Sequence, residues 1–159
     1  MNFCGKNTKY FKGRNVLARF YAKFAKNRTR PHRVMKKIIS TAAAPAAVGP
    51  YSQGVEASGA TLYVSGQLPI DPASGTMPDT VEQQTEQALR NVEAILSEAG
   101  YSLSDVVKSV VLLADMNDFA AMNVVYARFY AKDMPARVCY EVGRLPMGAR
   151  VEIETIAVK

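Results

Sequence analysis

The sequence predicts an α+β fold in two layers: one mixed sheet of six strands with two helices on a single face. Three observations carry that expectation. Short alternating or β-branched apolar stretches recur six times between residues 36 and 158. Two longer stretches, about 80–99 and about 117–129, space their apolar residues as a helix does. The resulting order, β-β-β-α-β-α-β-β, supplies enough helix to cover one side of one sheet.

The elements follow in order. Lys36–Ser40 is a short strand, and Ala42–Gly49 is a small-residue segment broken by Pro45 and Gly49-Pro50. Tyr51–Ala57 is a second extended piece, with Ser58-Gly59 as the turn after it. Thr61-Leu62-Tyr63-Val64-Ser65 alternates as a strand. Pro69 to Pro78 is a loop. Thr80 and Gln83 have the spacing of a capping box at the head of the first helix. Val81, Ala88, Leu89, Val92, Ile95, Leu96 and Ala99 line one face of that helix, and Gly100 stops it. Val106–Leu113 is a strongly apolar strand. Asn117 or Asp118 is positioned to cap the second helix, with Phe119, Met122, Tyr126 and Phe129 on one face. Ala136–Val142 and Arg150–Val158 complete the sheet, joined by the Leu145-Pro146-Met147-Gly148 loop.

Charge divides the chain in two. Residues 1–34 carry ten Lys or Arg and no Asp or Glu. Residues 35–159 carry ten basic and fourteen acidic side chains, so 10 − 14 gives −4. The basic pI thus belongs to an N-terminal extension, and the body offers no broad face for nucleic acid. In the extension Val16, Leu17, Phe20, Tyr21 and Phe24 fall at helical spacing among Arg14, Arg19, Lys23 and Lys26. Three readings stand side by side: an upstream start misassigned ahead of Met35, a mitochondrial presequence, and a lipid- or RNA-binding arm. The first places the protein in the cytoplasm and the second in the mitochondrion. The absence of serine from residues 1–34 counts against a presequence.

The two cysteines, Cys4 and Cys139, suit a reducing compartment, and no apolar run is long enough to span a membrane. The single histidine, His32, lies in the extension. The body therefore cannot build a Cys-His or Ser-His-Asp device, and a metal site is improbable.

Strand alternation places Val138, Tyr140 and Val142 on one side, with Arg137, Cys139 and Glu141 on the other. In the last strand Val151, Ile153 and Ala157 oppose Glu152, Glu154 and Ile156. With the apolar sides beneath the helices, Arg137 and Glu152 are expected on the uncovered face. Packing against further copies of the chain would bury that face.

Five motifs in register resemble the RidA/YjgF/UK114 family. They are Gly49-Pro50-Tyr51-Ser52-Gln53, Ser65-Gly66-Gln67-Leu68-Pro69, Asn117-Asp118-Phe119 with Asn123, Pro135-Ala136-Arg137, and Val151-Glu152-Ile153-Glu154. The resemblance covers Met35 to Lys159. It implies a chorismate-mutase-like (RidA-like) fold and a homotrimer with its sites between subunits. It also implies a 2-iminobutanoate/2-iminopropanoate deaminase, which hydrolyses the reactive enamines and imines released by pyridoxal-phosphate enzymes. Val138 stands where the family often has Ser or Thr, and Tyr140 and Gly143 also depart from its common choices.

In that light Arg137 is the candidate clamp for a substrate carboxylate, because a planar guanidinium grips it through two parallel hydrogen bonds. The competing reading is a structural ion pair with Glu141, Glu152 or Glu154. Glu152 is the candidate to handle water and protons, with Glu154 as its rival. A hairpin of the last two strands would put Glu152 beside Glu141, so Arg137 and Glu152 must meet across the sheet or between subunits. Tyr51, Ser65, Gly66 and Asn123 are assigned to the substrate site by resemblance alone. Cys139, on Arg137's side, is a pocket-lining residue rather than a nucleophile. An imine is already electrophilic, so the reaction needs no metal and no cofactor. Two other functions stand against the hydrolase: a non-catalytic carboxylate-binding or chaperone-like regulator, and an RNase or translation inhibitor.

Overall fold

The computed structural model describes residues 35–159. The expectations for the basic extension lie outside the described residues. The strands are β1 (Met35–Ile39), β2 (Gly54–Ser58), β3 (Thr61–Gln67), β4 (Val106–Leu113), β5 (Ala136–Glu141) and β6 (Val151–Val158). The helices are α1 (Val81–Glu98) and α2 (Phe119–Phe129). The α+β class and the element order match the sequence reading, with ends shifted by no more than three residues and both ends of Val106–Leu113 unchanged.

Hydrogen bonding divides the six strands differently from the expectation of one continuous sheet. β3, β6, β4 and β5 form a mixed sheet in that order, and β1 and β2 pair with each other as a separate antiparallel hairpin. β5 runs parallel to β4, and the other main-sheet pairs are antiparallel. The link to the hairpin is a bridge from Ser52 to Ala136 and a pair of hydrogen bonds from the Lys36 ammonium to the Ser104 and Val106 carbonyls. The segment before β2 is occupied with loop contacts, which leaves it outside the ladder.

Both helices cover one face. α1 opens with the Thr80 hydroxyl accepting from the Gln83 amide at 3.3 Å. It closes at Gly100, whose φ of 75° lets the Tyr101 amide reach back to the Leu96 carbonyl. Val81, Ala88, Leu89, Val92 and Leu96 are buried, whereas Ile95, expected on that face, is exposed. They meet Val64, Val106, Val111, Leu113, Val151, Ile153 and Ala157 from the sheet. Truncating one of the leucines to Ala would cost about 2–5 kcal/mol.

The cap of α2 differs from the expectation. Asp118 occupies the N-cap position without a side-chain cap, and its carboxylate instead takes both ends of the Arg150 guanidinium. Asp115 does the capping, accepting from the Asn117 amide ahead of a single 3-10 turn, Met116–Asp118. Among the described residues the other sheet face is bare: Tyr63, Val138 and Tyr140 are exposed on it.

Candidate active site

The site forms where α2, the edge strand β5 and the loop before β2 converge. Arg137 is paired in register with Ser109 of β4, and Ser109 with Thr155 of β6. Laterally paired residues share a face, and Ser109 and Thr155 are buried beneath the helices. Arg137 therefore points to the helix side, not to the open face as the apolar pattern of β5 suggested. Val138 and Tyr140 take the open face instead. The reason is the position of β5 at the sheet edge. There the helix layer thins to a rim, where an arginine stem can be buried while its head stays accessible.

Around the guanidinium the setting is aromatic and neutral. Arg137 Nη1 donates to Asn123 Oδ1 at 2.7 Å. Its Cζ stands 4.8 Å from the Tyr126 ring centre, 5.4 Å from Tyr51 and 5.8 Å from Phe119. No carboxylate pairs with it among the described residues. The structural ion pair weighed from sequence is absent: Glu141 accepts from the Met116 amide, and Glu152 and Glu154 lie on the opposite face. Burial draws the guanidinium below its usual range, although an arginine remains charged at any working pH. Cys139 is half-buried on the same side, and burial pushes its thiol up.

The loop is fixed from within. Gln53 Oε1 accepts from the Thr41 amide at 2.7 Å, and Gln53 Nε2 donates to the Thr41, Ala44 and Pro45 carbonyls. The Ser52 hydroxyl donates to the Met134 carbonyl and its amide to that of Pro135. These bonds hold Tyr51 over Arg137, with the Tyr51 hydroxyl accepting from the Val48 amide. They also bring Gly49 so close that an added β-carbon would sit 3.3 Å from Arg137 Nη2.

Glu152 belongs to a second cluster. It pairs across β4 in register with Leu112 and hence with Tyr140, on the uncovered face. A bulge in β3 between Val64 and Gln67 brings Gly66 against it, where an added β-carbon would lie 2.8 Å from Glu152 Cδ. Ser65 is exposed at the same bulge, and Glu154 is exposed where Glu152 is partly buried. The candidate residues thus fall into two clusters, on opposite faces of one sheet: Tyr51, Asn123, Arg137 and Cys139 in one, and Ser65, Gly66 and Glu152 in the other.

Sequence reading missed Phe119 and Tyr126 as neighbours of Arg137, assigning both to core. Their spacing of seven puts them on one helix stripe with Asn123 between, and that was the available signal. Gln53, within the Gly49–Gln53 motif, is the side chain that ties this loop together. Among the described residues no three His, Cys, Asp or Glu side chains gather as a metal site would require. No helix there is long and apolar enough to cross a membrane.

Known proteins resemble this chain in sequence and fold. Residues 41–159 match the family model described as Endoribonuclease L-PSP. The chain is 53% identical over 127 residues to a goat (Capra hircus) 2-iminobutanoate/2-iminopropanoate deaminase, covering 79% of this chain and 92% of that protein. Among solved structures, E. coli TdcF with bound serine is 44% identical with a TM-score of 0.61, covering 77% of this chain and 98% of that one. RidA from the Antarctic bacterium Psychrobacter sp. PAMC 21119 is 45% identical with a TM-score of 0.62, over 77% and 99% of the two chains. The chain therefore belongs to the Endoribonuclease L-PSP family, the RidA/YjgF group.

Proposed function

We propose that this protein is a hydrolytic deaminase of small 2-imino acids, turning 2-iminopropanoate (with its enamine form, 2-aminoacrylate) and 2-iminobutanoate into 2-oxo acids and ammonia. The observation that carries the reading is the Arg137 fork, charged, partly open and free of any carboxylate partner among the described residues. A 2-imino acid presents its carboxylate beside the C=N carbon, so clamping one end places the other. The relatives named as deaminases of these imines support it, as does TdcF, whose structure holds a small amino acid.

The chemistry is the exchange of one ammonia for one water. Water oxygen bonds to C2, and the C=N π pair moves to nitrogen, which takes a proton. The carbinolamine then gives up its hydroxyl proton as the protonated nitrogen leaves with the C–N pair. Glu152 is the group we assign to hold the water and move these protons. Tyr51 closes over the substrate, and Asn123 holds the guanidinium. Ser65 and Gly66 line the water side, and Cys139 lines the carboxylate side as a protonated thiol. No step requires a cofactor.

Because the two clusters lie on opposite faces, we assign Glu152 to one copy of the chain and Arg137 to the next. A head-to-tail contact that closes after three copies yields three equal clefts, hence a homotrimer, and covers the bare face that exposes Tyr63 and Tyr140. Residues 35–159 are the catalytic body in this reading and residues 1–34 a separate extension. The cytoplasm is the compartment we propose, with the mitochondrion as the alternative if that extension is a presequence.

The decisive experiment generates 2-iminopropanoate in situ with an amino-acid oxidase and follows imine loss. Wild type should accelerate it, and no acceleration would leave only a carboxylate-binding role. The family description favours one other reading, RNA cleavage. RNA degradation that persists in an Arg137→Ala protein without residues 1–34 would support it.

A further inference from the structure

We infer that Tyr126 is a positioning residue for Arg137: its ring is the platform that fixes the plane of the guanidinium and the direction in which its fork opens. The inference rests on the reading of Arg137 as the carboxylate clamp.

A guanidinium has five N–H donors in one plane. Here it makes a side-chain hydrogen bond to Asn123. One such bond leaves the plane free to rotate about it. Something else must set the plane, and the candidates are the three rings within 6 Å. Tyr51 hangs from a loop, and Phe119 is the first residue of α2 and only partly buried. Tyr126 is the nearest, is fully buried in the middle of α2, and packs tilted by 33° on Tyr130 at 4.7 Å. Its orientation is therefore dictated by the core.

The Tyr126 hydroxyl makes no hydrogen bond to Arg137, so the ring is what this residue offers the guanidinium. A ring also does what a carboxylate could not. Its negative face compensates a half-desolvated cation without occupying the N–H edge. A carboxylate at this position would satisfy the fork and close the site to an anionic substrate. An aromatic platform plus a neutral amide keeps the cation both tolerated and unsatisfied.

The test measures binding of 2-oxobutanoate by calorimetry, with KM and kcat for the imine alongside. Tyr126→Leu should weaken 2-oxobutanoate about tenfold and raise KM more than it lowers kcat. Tyr126→Phe should bind within about twofold of wild type, because it keeps the ring. Pentafluorophenylalanine at position 126 keeps the shape and inverts the quadrupole, so it should weaken binding as Leu does. That variant also decides the matter if the Leu protein does not fold. Affinity in the fluorinated protein equal to that of Tyr126→Phe would overturn the inference. Undiminished binding in Arg137→Ala would instead remove the clamp itself, and the two failures are distinct.

Discussion

Asn123 and Arg137 meet side chain to side chain, Oδ1 accepting from Nη1 at 2.7 Å, with no carboxylate on the guanidinium among the described residues. A neutral acceptor holds the arginine without neutralising it. Asn123→Asp exchanges one heavy atom and supplies the missing anion from within the chain. That internal ion pair competes with the substrate, so affinity for 2-oxobutanoate should fall about a hundredfold. Asn123→Ala removes the anchor only and should cost about tenfold or less. Calorimetry on both variants checks the order; an Asp variant that binds as well as the Ala variant would contradict it.

The two clusters make a prediction about mixtures. Arg137→Ala and Glu152→Gln proteins should each be inactive. Unfolded and refolded together in equal amounts, they should recover about a quarter of wild-type turnover, since a random interface joins one intact Arg137 to one intact Glu152 with that frequency. Recovery near zero would mean that both residues serve a site within a single chain.

Gly66 tests which glutamate handles water. Any β-carbon there runs into the Glu152 carboxylate, 2.8 Å from its Cδ. Gly66→Ala should therefore lower kcat by at least about tenfold, through a displacement of about an ångström in the group we assign to the water. Glu154 is exposed and has no such neighbour. Glu154→Gln should retain most activity and Glu152→Gln lose nearly all; the reverse pattern in steady-state kinetics would reassign the role.

Tyr130 sets an alkaline limit on stability. Its phenol is buried near the Ser109 and Thr155 hydroxyls, with no well-formed hydrogen bond among the described residues, and burial pushes it up to about 12 from 10.0. Tyr126 is raised further by the same cause. Below pH 10 both folded and unfolded tyrosines are protonated, and stability owes nothing to this difference. Above pH 10 the unfolded phenol ionises first, so the unfolded state gains and stability falls until the folded phenol ionises too. For Tyr130 the loss is about 2 kcal/mol by pH 12. Tyr130→Phe should flatten that part of the alkaline fall. At pH 7 it should be neutral or stabilising by up to about 1 kcal/mol, since it deletes a buried hydroxyl without a well-formed hydrogen bond. Urea melts across pH 7–12 give both numbers, and a steeper alkaline limb in the variant would refute the assignment.

Local chemistry decided much of this protein in advance. Thr80 and Gly100 bound α1 because a hydroxyl and a left-handed glycine satisfy helix-end groups wherever they occur. Val106–Leu113 is a strand because its β-branched run suits nothing else so well. The five motifs carried the resemblance to the family, and that resemblance pointed to the residues of interest. Strand pairing and facing were decided elsewhere. β6 inserts between β3 and β4, and β1 and β2 leave the main sheet, because pairing depends on which edges meet across long stretches of chain. The apolar pattern of β5 pointed Arg137 to the open face, yet Val138 and Tyr140 occupy it. At an edge strand under a thinning helix layer, an arginine on an aromatic ring can be housed as well as a valine can. Sequence supplied Arg137 and Glu152 as the candidate pair; only the tertiary structure decided that they lie on opposite faces of one sheet.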